Sequence, residues 1–168
     1  MRINIITDAE KNEYSGAEKS QTKKTRRICL TGIFEDKRIL LVDDIKINRE
    51  IVQAMFEPTK LQIDCAENGA QAVRMFTGSP DKYDMIFMDL HMPEMDGYEA
   101  SRRIRSLNIP RAKTVPIIAM TADIFGEDTK KYLKAGMNNH VGKPVDFQEV
   151  IGKLRYYWDT QAFNEKSE

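Results

Sequence analysis

The feature that most constrains this chain is a set of short apolar runs that do not alternate. Arg38–Val42 reads Arg-Ile-Leu-Leu-Val, residues 85–88 read Met-Ile-Phe-Met, and residues 115–120 read Val-Pro-Ile-Ile-Ala-Met. A strand with one wet face alternates apolar and polar residues. Continuous runs suit strands covered on both faces, as in a parallel sheet. Gln62–Ala66 and residues 140–142 are weaker candidates for the second and fifth strands.

Helical spacing appears between these runs. Ile47, Ile51 and Met55, with Val52 and Phe56, predict an apolar helix face that Pro58 ends. Ala72, Val73 and Phe76 predict a second helix after the Asn68-Gly69 turn. Residues 98–107 predict a third, with Ile104 inward. Residues 127–135 predict a fourth with a thin apolar face, Tyr132 and Leu133, ended by Gly136. The last has Asp146 as candidate N-cap and Glu149 three residues on, with Phe147, Val150, Ile151, Leu154 and Trp158 inward. Five strands alternating with five helices predict a doubly wound α/β fold with right-handed crossovers. In such folds, ligands bind at the carboxyl ends of the strands.

Those ends carry the chemistry. The first strand runs into Asp43-Asp44, the third into Asp89, the fourth into Thr121-Ala122, and the fifth into Lys143-Pro144. Three carboxylates within several Å repel by roughly 1 kcal/mol per pair in water, and more when partly buried. Crowding should therefore raise at least one carboxyl pKa. A hard divalent cation removes the conflict, and Mg²⁺ favours one or two carboxylates plus a phosphate. Lys143 adds a fixed positive charge. An aspartate can attack phosphorus to form an aspartyl phosphate, a reaction that needs positioning and charge neutralisation more than proton chemistry. Mg²⁺, Lys143 and the Thr121 hydroxyl could each hold one phosphoryl oxygen.

These residues resemble the receiver domain of two-component response regulators, from about residue 37 to residue 158. The resemblance rests on Ile39-Leu40-Leu41-Val42-Asp43-Asp44, on Met88-Asp89-Leu90-His91-Met92-Pro93-Glu94-Met95-Asp96-Gly97, on Pro116-Ile117-Ile118-Ala119-Met120-Thr121-Ala122, and on Lys143-Pro144. It implies a flavodoxin-like receiver fold with strand order 2-1-3-4-5. In that order Asp89 is central and is the expected phosphoacceptor. Asp43, Asp44, Asp89 and the backbone carbonyl of His91 are the expected Mg²⁺ ligands. Thr121 is the expected switch hydroxyl and Lys143 the expected lysine partner, and the Lys143–Pro144 bond is expected to be cis.

Receivers often carry Tyr or Phe three residues before the lysine, where this chain has His140. With the Gly136-Met137-Asn138-Asn139-His140 and Met120-Thr121-Ala122-Asp123 runs, the chain looks most like receivers of hybrid histidine kinases. The resemblance implies a switch rather than a turnover enzyme, one that promotes its own phosphorylation and dephosphorylation with Mg²⁺. Its expected donor is a histidine kinase, in the same parent chain or another, with a histidine phosphotransfer domain as a further partner. The expected response is a change in the surface around the fourth helix, the fifth strand and the last helix. His140 either belongs to that switch or packs at the end of its strand. His91 and Asp123 are candidates for tuning how fast water reaches the acyl phosphate.

Two other classes fit less well. A haloacid-dehalogenase-like phosphohydrolase needs an aspartate two residues after its nucleophile, where His91 stands. A flavodoxin-like cofactor module needs a Gly- and hydroxyl-rich loop after the first strand, where Asp43-Asp44 would repel a phosphate.

Composition sets the remaining bounds. The 26 basic residues balance the 26 acidic ones, which argues against a dedicated nucleic-acid binder. No run approaches a membrane span and no leader pattern opens the chain. Cys29 and Cys65 have no metal-type spacing, so Cys65 is expected to be a buried free thiol in the cytoplasm. The domain is expected over residues 37–160, with 1–36 as a linker or N-terminal extension and 161–168 as a tail. The basic cluster Lys23, Lys24, Arg26 and Arg27 reads as linker or as a partner-docking segment.

Overall fold

A computed structural model describes residues 30–122 and 128–164. The expectations for the basic cluster, Cys29, Asp123, Glu127 and the final tail residues lie outside that range.

Five strands form one parallel sheet: β1 (Arg38–Val42), β2 (Gln62–Ala66), β3 (Met85–Asp89), β4 (Ile117–Thr121) and β5 (Asn139–Gly142). Their order is β2-β1-β3-β4-β5, as the resemblance implied. The helices are α1 (Lys46–Phe56), α2 (Gly69–Gly78), α3 (Gly97–Ser106), α4 (Pro110–Thr114), α5 (Asp128–Lys134) and α6 (Phe147–Asn164). The one-turn α4 was not foreseen. Five residues opened by Pro110 are too short to display a helical period, and only Ala112 of them is buried.

The apolar runs divide by parity, as a period of two demands. Leu40, Val42, Ile86, Met88, Ile117 and Ala119 face one side, against Ala72, Phe76, Ala100, Ile104 and Tyr132. Ile39, Leu41, Met85, Phe87, Ile118, Met120 and Val141 face the other, against Val52, Phe56, Val150, Ile151, Leu154 and Trp158. Helices α2 to α5 thus cover one face, and α1 and α6 the other.

Three side-chain expectations need correction. On α1 the buried residues are Arg49, Val52 and Phe56, while Ile47 and Ile51 are 57% and 51% exposed. The chain offered two adjacent stripes, and the sheet took the one carrying Val52 and Phe56. On α5, Tyr132 is buried but Leu133 is exposed. Cys65 is half-buried, not buried, because β2 is an edge strand.

Local signals explain the helix ends. Asn68, Asp96 and Asp146 each accept a backbone N–H three residues on, at 2.8, 2.7 and 2.8 Å. After α5, Gly136 (φ +87°) donates to the Leu133 carbonyl, and Met137 donates to the Tyr132 carbonyl. That pair of bonds is a Schellman motif, which needs the left-handed residue glycine supplies. Ahead of β1, Gly32 and Phe34 donate to the carbonyls of Pro58 and Thr59. The Phe34 ring packs edge-on against Trp158 at 4.9 Å and closes one end of the core.

Candidate functional site

Register brings the site together. Val42 pairs with Met88, Asp89 with Met120, and Thr121 with Gly142. The residues at and just past these strand ends are therefore neighbours across the sheet. Asp43 and Asp44 follow β1, Asp89 ends β3, Thr121 ends β4 and Lys143 follows β5.

Carboxylate oxygens of Asp43, Asp44 and Asp89 all lie within 4.8 Å of one another. Asp43 and Asp89 are 2% and 5% exposed, while Asp44 is the most open of the three. Lys143 Nζ bridges the buried pair, 2.6 Å from Asp89 Oδ2 and 2.7 Å from Asp43 Oδ2. The Asp43 carboxylate also accepts from the Ile45 N–H at 2.9 Å and from Asn48 Nδ2 at 3.2 Å. The His91 N–H donates to Asp89 Oδ1 at 3.3 Å. Thr121 is 3% exposed. The Lys143–Pro144 bond is cis, as expected.

Electrostatics follow from burial and crowding. Burial is the strongest influence on Asp89 and pushes its carboxyl above the usual carboxylate range. The Lys143 ammonium and the His91 N–H pull it back, and the Asp43 charge adds to the rise. The expected rise is present, with desolvation ahead of carboxylate repulsion as its cause. Burial alone would lower the Lys143 ammonium, but its bonds to Asp43 and Asp89 outweigh that and hold it above its ordinary value.

The donor set suits a hard cation. Octahedral Mg²⁺ holds its oxygens at about 2.1 Å, so ligand oxygens on one ion stand roughly 3–4 Å apart. The three carboxylates, within 4.8 Å of one another, need only a small closing movement to share an ion, and Asp44 is the open side of the set. Nothing in the set is soft enough to favour a thiolate metal.

The remaining expected residues are placed as follows. His91 is exposed, with its ring 6.3 Å from that of Tyr98. His140, on β5, is not a member of the acidic cluster, and its Nδ1 is 2.8 Å from the Tyr132 hydroxyl of α5. Sequence reasoning missed Asn48, Arg49 and Glu67. Arg49 is 7% exposed and reaches the Asp43 carbonyl at 2.7 Å and Glu67 at 2.8 Å. The available signal was polar residues in the first turns of a helix directly after an acidic pair. A cavity of about 110 Å³ adjoins the site, lined among others by Asp43, Ile51, Met120, Lys143 and Pro144.

Comparison with known proteins agrees with this geometry. The family model for the response regulator receiver domain matches residues 39–155. The chain is 39% identical over 125 residues to the hybrid signal transduction histidine kinase L of Dictyostelium discoideum, covering 71% of this chain and 7% of that one. It spans 7% to 17% of the length of the histidine kinases it matches. Among solved structures it is similar to the receiver domain of a sensor histidine kinase from Pseudomonas aeruginosa PAO1, determined with a magnesium ion coordinated in its active-site cleft. Identity there is 36%, TM-score 0.64, covering 72% of this chain and 96% of that one. It is also similar to a chain in the Saccharomyces cerevisiae complex of the histidine phosphotransfer protein Ypd1 with the receiver domain of Ssk1. There identity is 28%, TM-score 0.66, covering 75% and 91%. The matched residues, the sheet order and the acidic cluster agree, and the chain belongs to the response regulator receiver domain family of two-component signalling.

Proposed function

We propose that Asp89 accepts a phosphoryl group from a partner phosphohistidine, in a Mg²⁺-dependent transfer that switches the α5–β5–α6 surface. The observation that carries this reading is the buried Asp89 carboxylate at the centre of the site, within 4.8 Å of two further carboxylates and 2.6 Å from Lys143.

Asp43, Asp44, Asp89 and the main-chain carbonyl of His91 would hold the cation. When bound, it supplies charge neutralisation for phosphoryl oxygens. The chain's own residues do the rest. An Asp89 oxygen attacks phosphorus, a P–O bond forms, and the P–N bond to the donor histidine breaks, leaving the imidazole to take a proton. Lys143, already on Asp89, is placed to follow the new negative charge. Thr121 ends the neighbouring strand and can donate its hydroxyl to a phosphoryl oxygen. The added charge of about −1.5 to −2 then biases the segment after Thr121. Tyr132 and His140 tie α5 to β5 and so would carry that bias outward. Release to water, or onward transfer, resets the switch.

The donor we infer is a histidine kinase, in the same parent protein or another, with a histidine phosphotransfer domain as a second partner. The relatives are histidine kinases, and the yeast complex pairs a similar receiver with a phosphotransfer protein. Ile45, Ile47 and Ile51 form an exposed apolar edge on α1 and its N-cap, beside the site. An edge of that kind suits an apolar helical partner that must bring its histidine to Asp89.

Intact-mass analysis tests the reading. With Mg²⁺ and acetyl phosphate the chain should gain one phosphoryl group. The gain should vanish in Asp89→Asn and fall strongly in Lys143→Ala or without the metal. Labelling that persists in Asp89→Asn would move the acceptor elsewhere.

A further inference from the structure

Arg49 is a buried arginine with little to gain from its ion pair. Its carboxylate partner, Glu67, has a side chain 67% exposed. A carboxylate that open to water adds little to a salt bridge. Removing a guanidinium from water is costly unless its donors are satisfied. The other contact explains the burial. Arg49 Nη1 donates to the main-chain carbonyl of Asp43 at 2.7 Å, a bond shielded from solvent. On the opposite side of the same residue, the Asp43 N–H donates to the Ala66 carbonyl at 3.2 Å. The backbone of Asp43 is thus clamped from both directions at the point where the chain leaves the sheet and turns into α1.

The clamp extends further. Glu67 lies just past β2, and its backbone N–H donates to Gln71 Oε1 at 2.8 Å. Arg49 on α1 therefore links the β1 end, through Nη1 on the Asp43 carbonyl, to the residue after β2, through Nη2 on Glu67 Oε1. The adjacent Asp44 carboxylate has no rigid strand beneath it, so its direction follows from that turn.

We propose that Arg49 is a positioning residue for the acidic site: by holding the Asp43 carbonyl, it aims the Asp43 and Asp44 carboxylates toward Asp89. The inference rests on the metal-dependent reading above. It makes a prediction opposite in sign to simple electrostatics. A cation bonded to the Asp43 main chain repels Mg²⁺ at the neighbouring carboxylates, so deleting its charge alone should tighten metal binding. Losing the clamp should weaken it, and groups that hold a metal ligand in place typically cost 10- to 100-fold in affinity when removed.

The test is calorimetric titration of the whole chain with Mg²⁺, for wild type, Arg49→Gln and Arg49→Lys, each checked for folding by circular dichroism and metal-free thermal unfolding. Arg49→Gln should bind Mg²⁺ at least about tenfold more weakly. Arg49→Lys keeps the charge but loses the fork, and should fall between that variant and wild type. It also carries the test if Arg49→Gln does not fold. Equal or tighter binding by a folded variant, with only the unfolding temperature lowered, would reduce Arg49 to a structural role and overturn the proposal. Wild type that binds no Mg²⁺ would overturn the functional reading as well.

Discussion

At position 97 the backbone leaves space for a hydrogen and nothing larger. A Cβ there would stand 2.1 Å from the Asp89 carbonyl oxygen and 3.0 Å from the Met88 side chain. The Gly97 N–H meanwhile donates to the Leu90 carbonyl at 3.1 Å, so the loop after Asp89 is stitched back onto its own strand. Gly97→Ala should therefore destabilise by about 1–3 kcal/mol, the usual cost of overpacking, because the obstacle is main chain and cannot rotate away. Chemical denaturation checks this, and labelling of Asp89 should fall in parallel because the shift acts on Asp89 itself. An alanine variant with unchanged stability and labelling would show that the contact is relieved at no cost. At this scale the chain revealed the charged groups but not their supports. Asp43, Asp44, Asp89, Thr121 and Lys143 stand at strand ends, where the fold rule directs attention. Gly97 and Arg49 do not announce themselves, since one has no side chain to read and the other looks like any solvent-facing arginine on a helix. Cys65 shows a similar limit. It stands between Ile63 and Ala66 on a strand, yet that strand is at the sheet edge and leaves it half open, and burial pushes its thiol up, away from the reactive thiolate.

Helices differ from strands in how much of their burial can be read from pattern. A strand alternates strictly, so each apolar run here fixed both of its faces. A helix with apolar residues on more than one stripe does not say which stripe turns inward. On α1, Phe56 and Val52 won, because they meet the sheet face that also receives α6. Ile47 and Ile51 were left outside. That surplus has a use in the proposed function. Ile47→Glu, at an exposed site, should change stability by no more than about 0.5 kcal/mol. If the α1 edge receives the donor protein, the variant should slow transfer from a phosphohistidine protein by about tenfold, as loss of a central interface contact does, and much more than it slows transfer from acetyl phosphate. Parallel rates for both donors would place the docking surface elsewhere. The ends of the helices were more legible than their faces. Asn68, Asp146 and Gly136 act through bonds to backbone three residues away, and such local chemistry survives translation from sequence to structure. The short α4 and the turn around Phe34 did not, because both depend on what they pack against rather than on any internal period.

The whole molecule reduces to a sheet that carries charges on one rim. Among the described residues both faces are covered by helices, and the polar cluster lies at the carboxyl ends of the strands. Residues separated by up to a hundred positions in the chain converge there because parallel strands all point the same way. That convergence was legible once the strand order was granted, and the order came from resemblance rather than from periodicity. The burial of Asp89 was not legible, and under the proposed function it matters: a carboxylate short of water would stay ionised for attack with Lys143 and a cation beside it. The most direct test of this account is to locate the new bond. The chain is phosphorylated with acetyl phosphate and Mg²⁺, reduced with borohydride, and digested for peptide sequencing by mass spectrometry. An aspartyl phosphate is reduced to homoserine, so the account predicts homoserine at position 89 and none in the unphosphorylated control. Homoserine at 43 or 44, or a gained phosphoryl group with no reducible residue at all, would contradict it.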